Sequence, residues 1–307
     1  MLAVCLAVAS PAGASTKSLR PLAVGPSVAV TNGPSLLAAD GSRYLVWSTS
    51  GGSIERWDTK ANTRLVKTPS ALGLPDGCLI RDLRHAKVLL DCGTLGPRLI
   101  SVRRLVPVPV ASAADSAGKA LLDSTRDWER VGAQWIAGDR FSCDRPTGSG
   151  CPPVYLNWHT GQVRSPSPWR TRTLDHSTLL AAKACGALIE GRCIPDGLYA
   201  LRINDAQPHL TLARPHQRTV VAGSYTGNVF LANGTVAWMR GKYAYVRGAG
   251  RRSVARFELP AVAATDEWHT VVATRQRLVV SAMDPGTSSP IPPVRYFAAR
   301  IPAAVWG

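Results

Sequence analysis

One short figure recurs along this chain: a strand-like run, a tight polar turn and a second short run. It is most legible between Gly41 and Pro69. Arg43-Tyr44-Leu45-Val46-Trp47-Ser48 is rich in β-branched and aromatic residues and reads as a strand. Ser50-Gly51-Gly52 reads as a hairpin turn and Ile54 to Trp57 as the return strand. Asp58 to Asn62 is a second turn, with Asp58 as a turn-forming carboxylate, before Arg64 to Lys67. Nothing in the stretch has the 3.6-residue period of a helix.

The return strand has copies at Arg98 to Val102, Val154 to Trp158, Leu198 to Ile203, Lys242 to Val246 and Val294 to Ala298. Successive copies lie between 44 and 56 residues apart. Most are preceded by another apolar run, such as Lys87 to Leu90, Gly234 to Trp238 or Arg277 to Val280. Most are followed by a polar turn and another short apolar or Pro-ended strand, as at Pro208 to Pro215 and Ser253 to Pro260. Two units share an opening: Asp127-Trp128-Glu129-Arg130-Val131 and Glu267-Trp268-His269-Thr270-Val271. Units of about four strands at this spacing predict an all-β fold, a β-propeller of six blades, whose blades bury their faces against their neighbours. A pair of β-sandwiches is the competing architecture. The last unit lacks a fourth strand, and the N-terminal apolar run Leu22 to Val30 is expected to supply it and close the ring. Ala111 to Asp123 breaks the pattern and reads as a long inter-blade loop with weak helical character from Lys119 to Leu122.

Gly52-Ser53-Ile54-Glu55-Arg56-Trp57-Asp58 resembles the strand end of Trp-Asp-repeat propellers, and Asn157 to Val163 is similar to the following turn in several bacterial propellers. The chain thus resembles a divergent secreted bacterial β-propeller. The family's Gly-His dipeptide is absent and one unit alone carries Trp-Asp, so the likeness implies a fold and carries no functional residue across.

The chain has 307 residues, with 36 basic against 20 acidic, a formal charge of +16. A field of that sign attracts anionic polymers and surfaces. The charges are spread along the chain, so a biased composition explains them equally well. Residues 1–14 read as a signal peptide: Leu2 to Ala9 is too short to span a bilayer and Ala12-Gly13-Ala14 is a small-residue cleavage site, although a basic start is missing. Residues 15–307 then form a single β-propeller domain, secreted and without a membrane span. Cys5 leaves with the signal, and the remaining six cysteines fall in three close pairs. Disulfides Cys78–Cys92, Cys143–Cys151 and Cys185–Cys193 are expected in an exported chain. Zinc is disfavoured by the lack of C-x-x-C spacing.

No catalytic motif stands out. No G-x-S-x-G elbow joins a strand to a helix, and the basic glycine-rich Gly248 to Arg252 precedes no helix start and reads as a solvated hairpin turn. Asp266, Glu267 and His269 form the densest acid-and-imidazole group, but a regular strand turns Glu267 and His269 to one face and Asp266 to the other. Asp175-His176 reads as a loop. Tryptophans 47, 57, 128, 135, 158, 169, 238 and 268 recur on strands or their ends, mostly as packing. Trp169 with Arg170 and Arg172 is a candidate for stacking on sugars or gripping anions, with Glu267 and His269 as further candidates. The expectation is a monomeric binding scaffold for an extracellular anionic or carbohydrate polymer, or a protein partner. No metal or cofactor is implied, and nucleic acid is disfavoured by export. The alternative is a carbohydrate-active lyase or hydrolase working at the channel mouth.

Overall fold

In the computed structural model the residues described are 17–18, 20–21, 37–48, 52–75, 77–140, 153–165, 193–195, 200–204, 209–214, 217–222, 226–261, 267–283 and 294–306. They form six sheets, numbered here in chain order. The first contains Leu37–Ala39, Tyr44–Ser48, Ile54–Asp58 and Thr63–Lys67. The second contains Leu79–Arg84, Lys87–Asp91, Pro97–Ser101 and Val106–Val108; the third, Thr125–Val131, Trp135–Arg140, Val154–Asn157 and Val163–Arg164. The fourth contains Cys193–Pro195, Ala200–Asn204, His209–Arg214 and Gln217–Ala222; the fifth, Thr226–Ala232, Thr235–Arg240, Tyr243–Gly248 and Val254–Glu258. The sixth contains Glu267–Ala273, Arg277–Met283 and Val294–Arg300. Within each, consecutive strands pair antiparallel, which is the meander that the turn signals predict.

Among the described residues, neighbouring sheets in chain order pack on one another from the first to the third and from the fourth to the sixth, and the sixth packs on the first. Their first strands touch one another between sheets one and two, two and three, four and five, five and six, and six and one. Only strands nearest a common axis can meet their counterparts on both sides, so the first strand of each sheet is the innermost. This is the β-propeller arrangement.

The seams one–two, two–three, five–six and six–one each have their own apolar layer, and period-two alternation explains how one strand serves two seams. Leu45 and Trp47 point to the sixth sheet, joining Val279 and Tyr296. Val46 between them points to the second sheet, joining Ile80, Val88 and Ile100. Strands sandwiched in this way are apolar on both faces, and Leu45, Val46 and Trp47 are all buried. Six of the eight tryptophans singled out above, at 47, 57, 128, 135, 158 and 238, are packing residues buried in or beside these seams.

The N-terminal segment does complete the sixth sheet, by a different stretch from the one expected. Arg20 and Pro21 pair antiparallel with Ala298 and Phe297 as its outer strand. Just before them, Lys17 and Ser18 run parallel to Phe257 and Glu258 on the fifth sheet, so one short strap stitches two outer edges. Leu22 to Val30 lies outside the described residues.

Two further expectations need correction. Five of the six return-strand copies are third strands, but the Leu198 to Ile203 copy corresponds to Ala200–Asn204, the second strand of its sheet. Pro208 to Pro215 is accordingly the third strand, and Gln217–Ala222 follows as the fourth. Alternation marks a strand without marking its rank in the sheet. The loop before the third sheet contains a helix, Ser116–Asp123, longer than the residue pattern suggests. Asp115 caps it by accepting from the Gly118 amide at 2.6 Å, so the start signal lay in the aspartate rather than in apolar spacing.

Candidate functional site

The first-to-second-strand turns of the first, fifth and sixth sheets lie together, and there the three sheets interlock. The fifth sheet turns through Asn233-Gly234, both at positive φ, which is the favoured pair for a tight hairpin. Asn233 Nδ2 donates to the Asp40 carbonyl and Thr235 Oγ1 to the Gly41 carbonyl, both on the first sheet's turn. That turn is shaped by Asp40, whose carboxylate accepts from the Ser42, Arg43 and Tyr44 amides at 2.8, 2.6 and 2.9 Å. Gly41 sits so close to the fifth sheet that a β-carbon there would lie 1.9 Å from the Ala232 carbonyl oxygen. The sixth sheet's turn joins through the Arg275 amide to the Ser42 carbonyl, and through Thr274 Oγ1 to Thr59 Oγ1 at 2.9 Å.

Beside this interlock lies a cleft of about 320 Å³, lined by Asn233, Thr235, Gly248, Ala249, Arg251, Arg275 and Trp306. Its floor is the Gly248 backbone. A β-carbon on Gly248 would meet the Arg251 stem at 3.1 Å and the Trp306 ring at 3.3 Å, so glycine lets both side chains lie over bare backbone. Trp306 belongs to a one-turn 3₁₀ segment, Ala303–Val305 and its cap, and its indole N–H donates to the Arg275 carbonyl at 2.7 Å. The indole is half-buried, whereas Arg251, Arg252 and Arg275 are exposed. Among the described residues no carboxylate pairs with these three arginines. Beneath them the buried Arg247 donates to the Arg251 carbonyl and braces the loop, and burial lowers its pKa. The arrangement is a groove with fixed positive charge and one aromatic wall, suited to a carboxylate, sulfate or phosphate carried on a flat or ring-shaped group.

The interior at the same end is spanned by protein. Arg84, on the second sheet, donates from Nη2 to the Leu231 carbonyl of the fifth at 3.0 Å. Its Nε donates to Asp82 Oδ1 at 3.0 Å, while Asp82 Oδ2 accepts from the Val131 amide of the third sheet at 3.0 Å. One ion pair therefore ties three sheets together across the axis. Arg130 lies close by, and burial together with Arg84 lowers its pKa.

Glu267 and His269 both fall on the innermost strand of the sixth sheet, but its ladder is irregular. Trp268 pairs with Ala282 and Thr270 with Ser281, leaving His269 without an opposite residue. The rule that Glu267 and His269 share a face assumes an unbroken ladder, which this strand lacks. The same shift occurs between Trp128 and Arg130 in the unit with the similar opening. Asp266, Trp169, Arg170, Arg172, Asp175 and His176 lie outside the described residues, as do Cys143, Cys151 and Cys185. The Cys78–Cys92 disulfide is formed and ties the entry of the second sheet to the end of its second strand. Asp58 is the turn carboxylate expected of it, accepting from the Lys60 and Ala61 amides at 3.2 and 3.1 Å. It also holds Arg43 with both oxygens, and this lowers its pKa. Gly248 to Arg252 is a hairpin turn as expected, and in addition a wall of the cleft. Trp306 was not singled out from the sequence. Its signal was an isolated aromatic following Pro302, beyond the last strand pattern.

No family model matches this chain, and no curated protein sequence matches it. Similar solved structures include regucalcin, a calcium-binding protein of Agrobacterium tumefaciens, at 14% identity and a TM-score of 0.43, covering 94% of this chain and 96% of that one. The β-propeller domain of Cps50 (Swd1) from Myceliophteria thermophila is similar at 13% identity and a TM-score of 0.36, over 87% of this chain and 83% of that one. The WD40 domain of SCAP from fission yeast is similar at 9% identity and a TM-score of 0.31, over 91% and 69%. The fold itself is read from the six sheets and their seams.

Proposed function

We propose that the chain is an exported, monomeric binding scaffold, a six-bladed propeller over residues 15–307 released from a leader over residues 1–14. In this reading it holds an anionic carbohydrate polymer at the cleft between the fifth and sixth sheets. The observation that carries it is the meeting of Arg251, Arg275 and the Trp306 indole over Gly248, where no described carboxylate neutralises the arginines. Guanidinium forks suit carboxylates and sulfates, and an indole face suits a sugar ring. The Cys78–Cys92 disulfide supports an oxidising compartment, and no described helix is long and apolar enough to cross a membrane.

A lyase or hydrolase at the described channel end draws less support. Asp82, a described carboxylate facing the axis there, has both oxygens engaged by Arg84 and the Val131 amide, and so is poorly placed as a general base. The test is retention on immobilised polygalacturonate across a salt gradient. The wild type is expected to bind and to elute as salt rises, because exposed charges are screened. Arg251→Gln/Arg275→Gln is expected to weaken binding about tenfold, in line with losing two exposed charge-assisted contacts. Equal retention of wild type and variant, or retention indifferent to salt, would remove the basis of the proposal.

A further inference from the structure

A second basic position lies beside the cleft among the described residues, and the turn Thr274–Gln276 joins the two. Arg275 faces the cleft on the fifth-sheet side. Two residues on, Arg277 sits at the seam with the first sheet, its guanidinium 5.4 Å from the centre of the Trp57 ring. Arg277 stands directly opposite Arg300 in the sixth sheet's ladder. Like charges at directly opposite ladder positions destabilise the pair, and an anion bound between them would relieve that repulsion. Burial and the Arg300 charge both lower the pKa of Arg277.

No described carboxylate pairs with Arg277 or Arg300. The neighbouring cations differ: Arg64, 5.5 Å from the same Trp57 ring, reaches Glu55 at 3.4 Å, and Arg43 is held by Asp58. Trp57 therefore forms the base of a second positive position, with Arg277 and Arg300 as its uncompensated charges.

We infer that the seam at Trp57, Arg277 and Arg300 is a second anion subsite, continuous with the Arg251–Arg275–Trp306 cleft, and that the ligand is a linear acidic polysaccharide long enough to occupy both. This rests on the reading of the cleft as an anion site. Two weak subsites joined by one chain act as a bivalent pair, so affinity rises with ligand length once both are spanned. A saccharide is favoured over a nucleic acid by the disulfide's compartment.

The experiment is titration with short and long oligogalacturonides at fixed salt. Wild type should bind the long chain about tenfold more tightly than the short one. Arg277→Gln/Arg300→Gln should lose that gain while binding the short chain as before, and Arg277→Lys should retain it. Should the paired variant fail to fold, Arg300→Gln alone, at an exposed position, should still lose part of the gain. A seam variant that keeps the full gain overturns the second subsite and leaves the cleft standing. Unchanged binding in Arg251→Gln/Arg275→Gln overturns both. Single-stranded DNA binding as tightly as the long oligogalacturonide overturns the choice of an acidic saccharide.

Discussion

Replacing Gly41 with alanine should be among the most damaging small substitutions in this molecule. Gly41 has φ +73°, and a β-carbon there lies 1.9 Å from the Ala232 carbonyl oxygen, so the first sheet's turn must lift off the fifth sheet. The left-handed backbone alone costs a β-carbon about 1 kcal/mol. Lifting the turn also loses the hydrogen bonds from Asn233 to the Asp40 carbonyl and from Thr235 to the Gly41 carbonyl, at about 1 kcal/mol each. The total is about 3 kcal/mol. Gly73 supplies the control: its φ is +59°, but nothing lies within 4 Å of an added β-carbon. Gly73→Ala should cost about 1 kcal/mol, the backbone term alone. Urea unfolding followed by tryptophan fluorescence measures both, with a lowered midpoint at an unchanged slope. If Gly41→Ala costs no more than Gly73→Ala, the interlock of the first and fifth sheets is not a tight contact, and the explanation fails.

Three other outcomes follow from the same packing. Cys78→Ser/Cys92→Ser opens a loop whose ends are 14 residues apart and should cost about 3 kcal/mol in the chain-entropy model, read as a drop in melting temperature that reductant reproduces in the wild type. The turn His85-Ala86 places two ordinary residues at positive φ, 49° and 59°, where the fifth sheet uses Asn233-Gly234; replacing it by Asn-Gly should stabilise by about 1 kcal/mol in urea melts. Asp58, whose pKa is lowered chiefly by Arg43, stabilises the fold at neutral pH, and that contribution should fade as pH falls below about 4, through its folded pKa. Asp58→Asn should therefore be less stable than wild type at pH 7, with the difference closing in acid.

The architecture was legible because strand, turn and spacing signals are local. Tyr44 to Ser48 and Ile54 to Asp58 form the first sheet's middle strands, and the unit spacing reports one sheet each. Rank within a sheet is a tertiary property, which is why Ala200–Asn204 was misplaced. The N-terminal closure was legible as an open edge needing a strand. Its location at Arg20 and Pro21 was not, since a two-residue pairing has no alternation to detect. The cleft was the least legible part. Arg251, Arg275 and Trp306 come from three separate turns, and only the packing of the fifth and sixth sheets brings them over Gly248.

Backbone hydrogen exchange with and without a long oligogalacturonide tests the central claim most directly, because it locates the ligand without presuming the site. Protection should appear at residues 248–252, 274–277 and 303–306, the walls of the cleft and the turn leading to the seam. Protection confined to other segments, with these three unchanged under saturating ligand, would contradict the account.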